Sequence, residues 1–202
     1  MALKIKTGQA VRGEYFFDRD DEIKELRRKI ESGSSILISA PRRVGKTSLM
    51  LYILDNPGED YHAIYLITES VNSENEYFKR VFDIIVETAL GRKDRFFSKA
   101  STVLKDVSTR IKSVGQNGVE LNENSKLNYF EELINLIKPL DLEGNKLVIM
   151  VDEFAQTLEN IINAQGTDKA VHFLQSNREL RQLIEISEKY NLFMPVLLVW
   201  KT

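Results

Sequence analysis

A three-layer α/β fold, with a parallel central sheet flanked on both sides by helices, is what this 202-residue sequence predicts. Apolar runs with strand character begin at Ile36, His62, Lys146 and Leu192. Between them lie stretches whose apolar residues fall at helical spacing, the alternation expected of βαβ units. The run from His62 to Thr68 is apolar nearly throughout, as strands covered on both faces are.

The first strand and its exit organise the rest. Ile36-Leu37-Ile38-Ser39 leads into a tight polar turn, and Leu49, Met50 and Ile53 then repeat at helical spacing. Within the turn, Ala40-Pro41-Arg42-Arg43-Val44-Gly45-Lys46-Thr47 follows the Walker A pattern of a P-loop, with alanine in place of the first glycine. The residue types suit a polyphosphate. Backbone N–H groups from Val44 through Ser48 are expected to point into one concavity at a helix N-terminus, where the helix dipole also favours an anion. Gly45 lets the backbone approach the phosphates closely. Lys46 is placed to reach the β- and γ-phosphates and Thr47 to take one position on Mg²⁺. Alanine at position 40 is acceptable because Pro41 restricts it to extended backbone.

A net charge of −2 argues against a globally basic nucleic-acid binder, while leaving room for a local patch. The absence of cysteine excludes disulfides, thiolate metal sites and cysteine nucleophiles. No apolar run is long enough to span a bilayer and no signal core is evident, so the expected compartment is cytoplasmic. The whole of 1–202 is expected to be one domain.

Residues 1–15 read as a polar arm laid across that domain. Asp18 or Asp20 is expected to cap a helix running to about Ser32, with Ile23, Leu26 and Ile30 on one face and Gly33 as its stop. Further helices are expected at Glu74–Leu90, Leu127–Leu140, Ala155–Asn163 and about Lys169–Tyr190, and a last strand over Leu192–Trp200. The region 91–126 is locally basic, with Phe96-Phe97 interleaved. It reads either as a partner or nucleic-acid patch, or as a solvated helix at about 93–113 followed by a mobile or hairpin-like insertion. His62 and His172 lack metal-ligand spacing and read as structural.

The second half of the site is an apolar strand ending in Asp152-Glu153, the Walker B pattern. The two motif strands are expected to lie side by side in the sheet, bringing Asp152 to Mg²⁺ through water and Glu153 to the attacking water. In many ATPases of this architecture the segment before the first strand covers the adenine. Phe16, Phe17 and Arg19 are candidates for that contact, and the same stretch also reads as an ordinary helix start.

Three stretches together carry a resemblance. Phe16-Phe17-Asp18-Arg19-Asp20-Asp21-Glu22 resembles the hydrophobic-hydrophobic-Gly-Arg-Glu-x-Glu signature of STAND-type and Orc-like P-loop ATPases, with Asp18 at the glycine position. The Pro41-Arg42-Arg43 loop looks like that of the archaeal-type ATPases within the group, and Val151-Asp152-Glu153-Phe154 is similar to their Walker B strand. The resemblance implies an AAA-like ASCE core, ATP and Mg²⁺ as ligands, nucleotide-dependent switching, and a helical lid and winged helix after the core. The sequence departs there, with Trp200-Lys201-Thr202 where a polar sensor is expected and no room for those domains. Arg178 and Arg181 read either as trans-acting arginines or as solvated helix charges. The expectation is a Mg·ATP-binding switch or motor module with slow intrinsic hydrolysis, working with a protein partner or by self-association. A binding-only nucleotide sensor that recruits a partner, or a DNA-associated Orc-like module, are the alternatives.

Overall fold

The computed structural model describes residues 10–16, 19–41, 43–91, 127–139, 146–183 and 190–196. After a single 3-10 turn (Gly13–Tyr15) the order is α1 (Asp20–Glu31), β1 (Ile36–Ser39), α2 (Lys46–Asp55), β2 (Tyr61–Ile67), α3 (Glu74–Gly91) and α4 (Tyr129–Ile137). Then follow β3 (Lys146–Asp152), α5 (Phe154–Gln165), α6 (Thr167–Gln182) and β4 (Tyr190–Val196). The described strands form one sheet in the order β1-β4-β3-β2, with every pairing parallel.

That order corrects one expectation. The strands carrying the two motifs are not neighbours, because β4 pairs with β1 on one side and β3 on the other. Asp152 and the loop after β1 still share the C-terminal edge of the sheet, since all strands run the same way. Two strand spacings, roughly 9–10 Å, must then be bridged by side chains and by the overhang of the loop.

Alternation along β2 and β3 sorts the core into two layers. Tyr61, Ala63, Val148 and Met150 join Leu49, Met50 and Ile53 of α2 and Ile23, Leu26 and Ile30 of α1. Ile64, Leu66, Leu147, Ile149 and Val151 face the opposite way, into a core shared with α3 to α6. Both faces are therefore apolar, as the run of hydrophobic residues in each strand requires.

Helix α1 begins differently from the expected cap. Its N-cap is Arg19, which makes no side-chain cap bond, and Asp20 is the first helical residue. Asp20, Asp21 and Glu22 instead place negative charge against the positive end of the helix dipole. The stop is as expected: Gly33 adopts φ +76°, with Ser34 N–H bonding Lys29 O and Gly33 N–H bonding Ile30 O, a Schellman termination. Lys146 at the start of β3 adds a cap by donating to Glu31 O at 2.8 Å.

The α6 helix is shorter than its periodicity suggests. It ends at Gln182, Leu183 turns extended (φ −63°, ψ 113°), and Tyr190, expected in the helix, already belongs to β4. Helix α5 and α6 are separated by Gly166 alone. The expected arm at 1–15 is described from residue 10: Val11 N–H donates to Ser48 Oγ, Arg12 pairs with Asp55, and Phe16 stacks on Tyr52 at 4.7 Å. Asp18, the basic stretch 92–126 and Trp200–Thr202 lie outside the described residues. His172 pairs with Glu74 at 2.7 Å, and no cluster of metal-ligating side chains occurs among the described residues. No helix of the described residues is long and apolar enough to cross a membrane.

Candidate functional site

Strand β1 delivers the chain to the C-terminal edge of the sheet, and the loop from Ala40 to Gly45 turns it into α2. Among the described non-glycine residues only Arg43 (φ +65°) and Glu153 (φ +60°) adopt positive φ, so Ala40 has the ordinary backbone an alanine accepts. Gly45 is left-handed at φ +85°, the conformation for which glycine is suited. The first bond of the α2 ladder runs from Leu49 N–H to Gly45 O. The N–H groups of Lys46, Thr47 and Ser48 therefore precede the ladder and sit at the positive end of the helix.

Three carbonyls of the loop take side-chain donors. Lys46 Nζ folds back to donate to Ala40 O and Pro41 O, both at 2.9 Å. Arg19 Nη2 donates to Val44 O at 2.5 Å, and the same nitrogen lies 3.4 Å from where a Cβ on Gly45 would stand. Pro41 and Arg43 are exposed, Val44 to Thr47 are half-buried, and Ser48 is buried, its Oγ accepting from Val11 N–H.

At the end of β3, Asp152 is buried and its carboxylate accepts three hydrogen bonds. Thr47 Oγ1 donates to Oδ2 at 2.7 Å, Tyr65 OH donates to Oδ2 at 2.8 Å, and Glu153 N–H donates to Oδ1 at 3.0 Å. Burial first, then the Asp152 charge and the hydrogen bond to it, push the Tyr65 phenol well above its ordinary range, with Glu153 adding to the effect and Arg12 opposing it. The phenol is thus held as a donor. Thr68 hooks the backbone of the same residue, its N–H and Oγ1 both bonding Asp152 O at 3.1 and 3.0 Å. Thr157 on α5 meets Thr68 in turn, 2.7 Å from both its carbonyl and its hydroxyl. A hydroxyl and a carboxylate meeting at the mouth of an amide-lined loop are hard oxygen donors of the kind magnesium takes, so this pair fits such an ion.

The structure thus joins Ala40, Pro41 and Lys46 in one contact, Arg19, Val44 and Gly45 in a second, and Thr47 with Asp152 in a third. Glu153 stands at the N-cap of α5 with an exposed side chain beside them. Phe16 is turned onto Tyr52 of α2. Phe17 and Arg42 lie outside the described residues. Arg181 Nε bonds Asn177 O within its own helix. Sequence reasoning missed Tyr65, Thr68 and Thr157. A lone tyrosine in an apolar strand signals core, and a threonine after a strand signals a turn. The separation of Tyr65 from Asp152 by 87 positions leaves no local mark.

Over residues 16–191 the sequence matches a family described as an ATPase domain predominantly from Archaea. The fold is similar to that of a Walker-type ATPase of Pyrococcus abyssi, with a TM-score of 0.55 and 16% identity. That similarity covers 94% of this chain and 48% of the other, so the chain spans about half the length of that protein. At this identity the likeness concerns the fold, which is that of a P-loop NTPase. No curated protein matches the sequence.

Proposed function

The chain belongs to a family of ATPase domains found predominantly in Archaea, and from that premise we propose that it is a Mg·ATP-binding core working as a nucleotide-dependent switch or motor module with slow intrinsic hydrolysis. One observation carries the reading: the 2.7 Å bond between Thr47 Oγ1 and Asp152 Oδ2, which are 105 positions apart. It brings the hydroxyl that follows the phosphate-loop lysine against the carboxylate that ends an apolar strand.

In this reading the N–H groups of Val44 to Ser48 receive the phosphates, with Ala40, Pro41, Arg42 and Arg43 forming the wall of the loop. Lys46 leaves its two carbonyl partners and moves to the β- and γ-phosphates. Arg19 and Phe17 contact the nucleotide from the segment ahead of β1. Thr47 and Asp152 would hold magnesium, the latter through water, and the ion would supply neutralisation of the phosphate charge. Glu153, exposed at the loop mouth, orients and polarises the attacking water. Slow intrinsic turnover is the expectation until a partner or second copy supplies an arginine finger, a contribution worth about 10³–10⁵ in rate. The whole chain then acts as one ATPase-core domain in the cytoplasm, related to the STAND-type and Orc-like switches, with a protein partner or a second copy as its target.

A labelled-ATP titration run beside a phosphate-release assay tests this. Lys46→Ala should weaken ATP binding by about 10- to 100-fold, the value of a charged hydrogen bond of roughly 1.5–3 kcal/mol. Glu153→Gln should bind ATP as the wild type does and release phosphate more slowly. Equal affinity for wild type and Lys46→Ala would remove the site.

A further inference from the structure

Tyr65 stands on β2, the described strand farthest from β1, yet its phenol reaches the candidate site. Its hydroxyl donates to Asp152 Oδ2 at 2.8 Å, the same oxygen that accepts Thr47 Oγ1 at 2.7 Å. The other carboxylate oxygen takes Glu153 N–H at 3.0 Å. A carboxylate oxygen offers two in-plane lone pairs, so the two hydroxyls between them fill Oδ2, while Oδ1 keeps one position open. The carboxylate plane is held at three points: by the phosphate loop, by its own backbone and by β2.

Those three holds differ in kind. Thr47 belongs to the loop that must accommodate a ligand, and the Glu153 amide acts on the opposite oxygen. Tyr65 is the donor that ties Oδ2 to the sheet. Its ring packs, partly buried, against the core between the sheet and α2, and the parallel register pairs Tyr65 with Met150 and Ile67 with Asp152. The oxygen position is therefore set by packing and ladder together, with little freedom of its own. A tyrosine suits this place because its ring can be buried while its polar tip reaches a partner.

We propose that Tyr65 is a positioning residue for the metal-bearing carboxylate, holding Asp152 in the orientation that Thr47 and a divalent cation share. The dependence of nucleotide affinity on Mg²⁺ is then governed in part by a hydroxyl on the far strand of the described sheet. The inference rests on the reading that Asp152 holds magnesium through water.

The test is Tyr65→Phe, which removes one oxygen and keeps the ring. ATP affinity is measured by titration calorimetry across a series of Mg²⁺ concentrations and again in excess chelator, with Asp152→Asn in parallel and thermal melts of each free protein. The expected result is an unchanged metal-free ATP affinity, a melt lowered by the loss of one hydrogen bond to a buried carboxylate, and a Mg²⁺ midpoint about tenfold higher, the low end of what loss of an outer-shell partner does to a metal site. Removing the hydroxyl in an Asp152→Asn background should have no further effect on the Mg²⁺ midpoint. A midpoint for Tyr65→Phe equal to the wild type, with Asp152→Asn shifted, overturns the role of Tyr65 and leaves the magnesium reading standing. An equal loss of affinity with and without Mg²⁺ makes the residue merely structural and overturns it too. Wild-type ATP binding that ignores Mg²⁺ overturns the reading of Asp152 and the inference together.

Discussion

Gly166 joins α5 to α6 with φ +88° and ψ 168°, a region of backbone space that is essentially glycine's alone. No neighbouring atom lies within 4 Å of where its Cβ would stand, so any penalty for a side chain comes from the backbone and not from a clash. Gly166→Ala should lower stability by about 1–3 kcal/mol, read as a fall in urea midpoint at constant slope. An unshifted midpoint would mean that the junction relaxes into another turn. Arg43 and Glu153 hold positive φ without that freedom, one on each side of the candidate site. Backbone strain of this kind is commonly retained where geometry serves a ligand.

The elements around the site are tied by polar contacts more than by shape. Thr157 on α5 is fully buried and within 2.7 Å of both Thr68 O and Thr68 Oγ1; its single proton can serve one of them at a time. Asn160, one turn on, donates to Glu69 O and Val71 O. Helix α5 is thus fastened to the segment leaving β2, which in turn holds the backbone of Asp152. Thr157→Val nearly keeps the volume and removes the hydroxyl, while Thr68 O retains Val71 N–H at 3.0 Å and Thr68 Oγ1 retains Asp152 O. Stability in guanidinium should fall by about 0.5–1.5 kcal/mol, the value of one hydrogen bond whose partners stay satisfied. An unshifted midpoint would show that this hydroxyl does not fasten α5. Because Thr68 also bonds Asp152 through its own N–H, ATP affinity should change less than stability does.

Across the whole molecule the sheet separates two cores, and the candidate site belongs to the edge of one of them. The layer with α1 and α2 carries the phosphate loop; the other holds an aromatic cluster in which Phe173 meets Tyr77 at 4.8 Å, Phe154 at 5.4 Å and Phe78 at 6.2 Å. Phe173 is fully buried, so Phe173→Ala opens a cavity that close-packed neighbours only partly fill. A loss of about 3–5 kcal/mol is expected. The ATP dissociation constant of the fraction that stays folded should be unchanged, measured at a temperature well below the melt. A matching loss of affinity would show that the two layers are coupled through the sheet.

Much of the site could be read directly from the chain because its parts are contiguous. The loop from Ala40 to Thr47 is a local pattern, and Asp152-Glu153 is marked by the apolar strand it ends. Continuous apolar runs and helical spacing likewise located the strands and most helices, since burial imposes those patterns residue by residue. Contacts between distant segments left no such trace. That β4 lies between the two motif strands, that Lys146 caps α1, and that Tyr65 finds Asp152 all follow from sheet order and register. Those are settled by how crossover helices pack and which backbone edges meet, and a linear pattern of side chains carries no record of either.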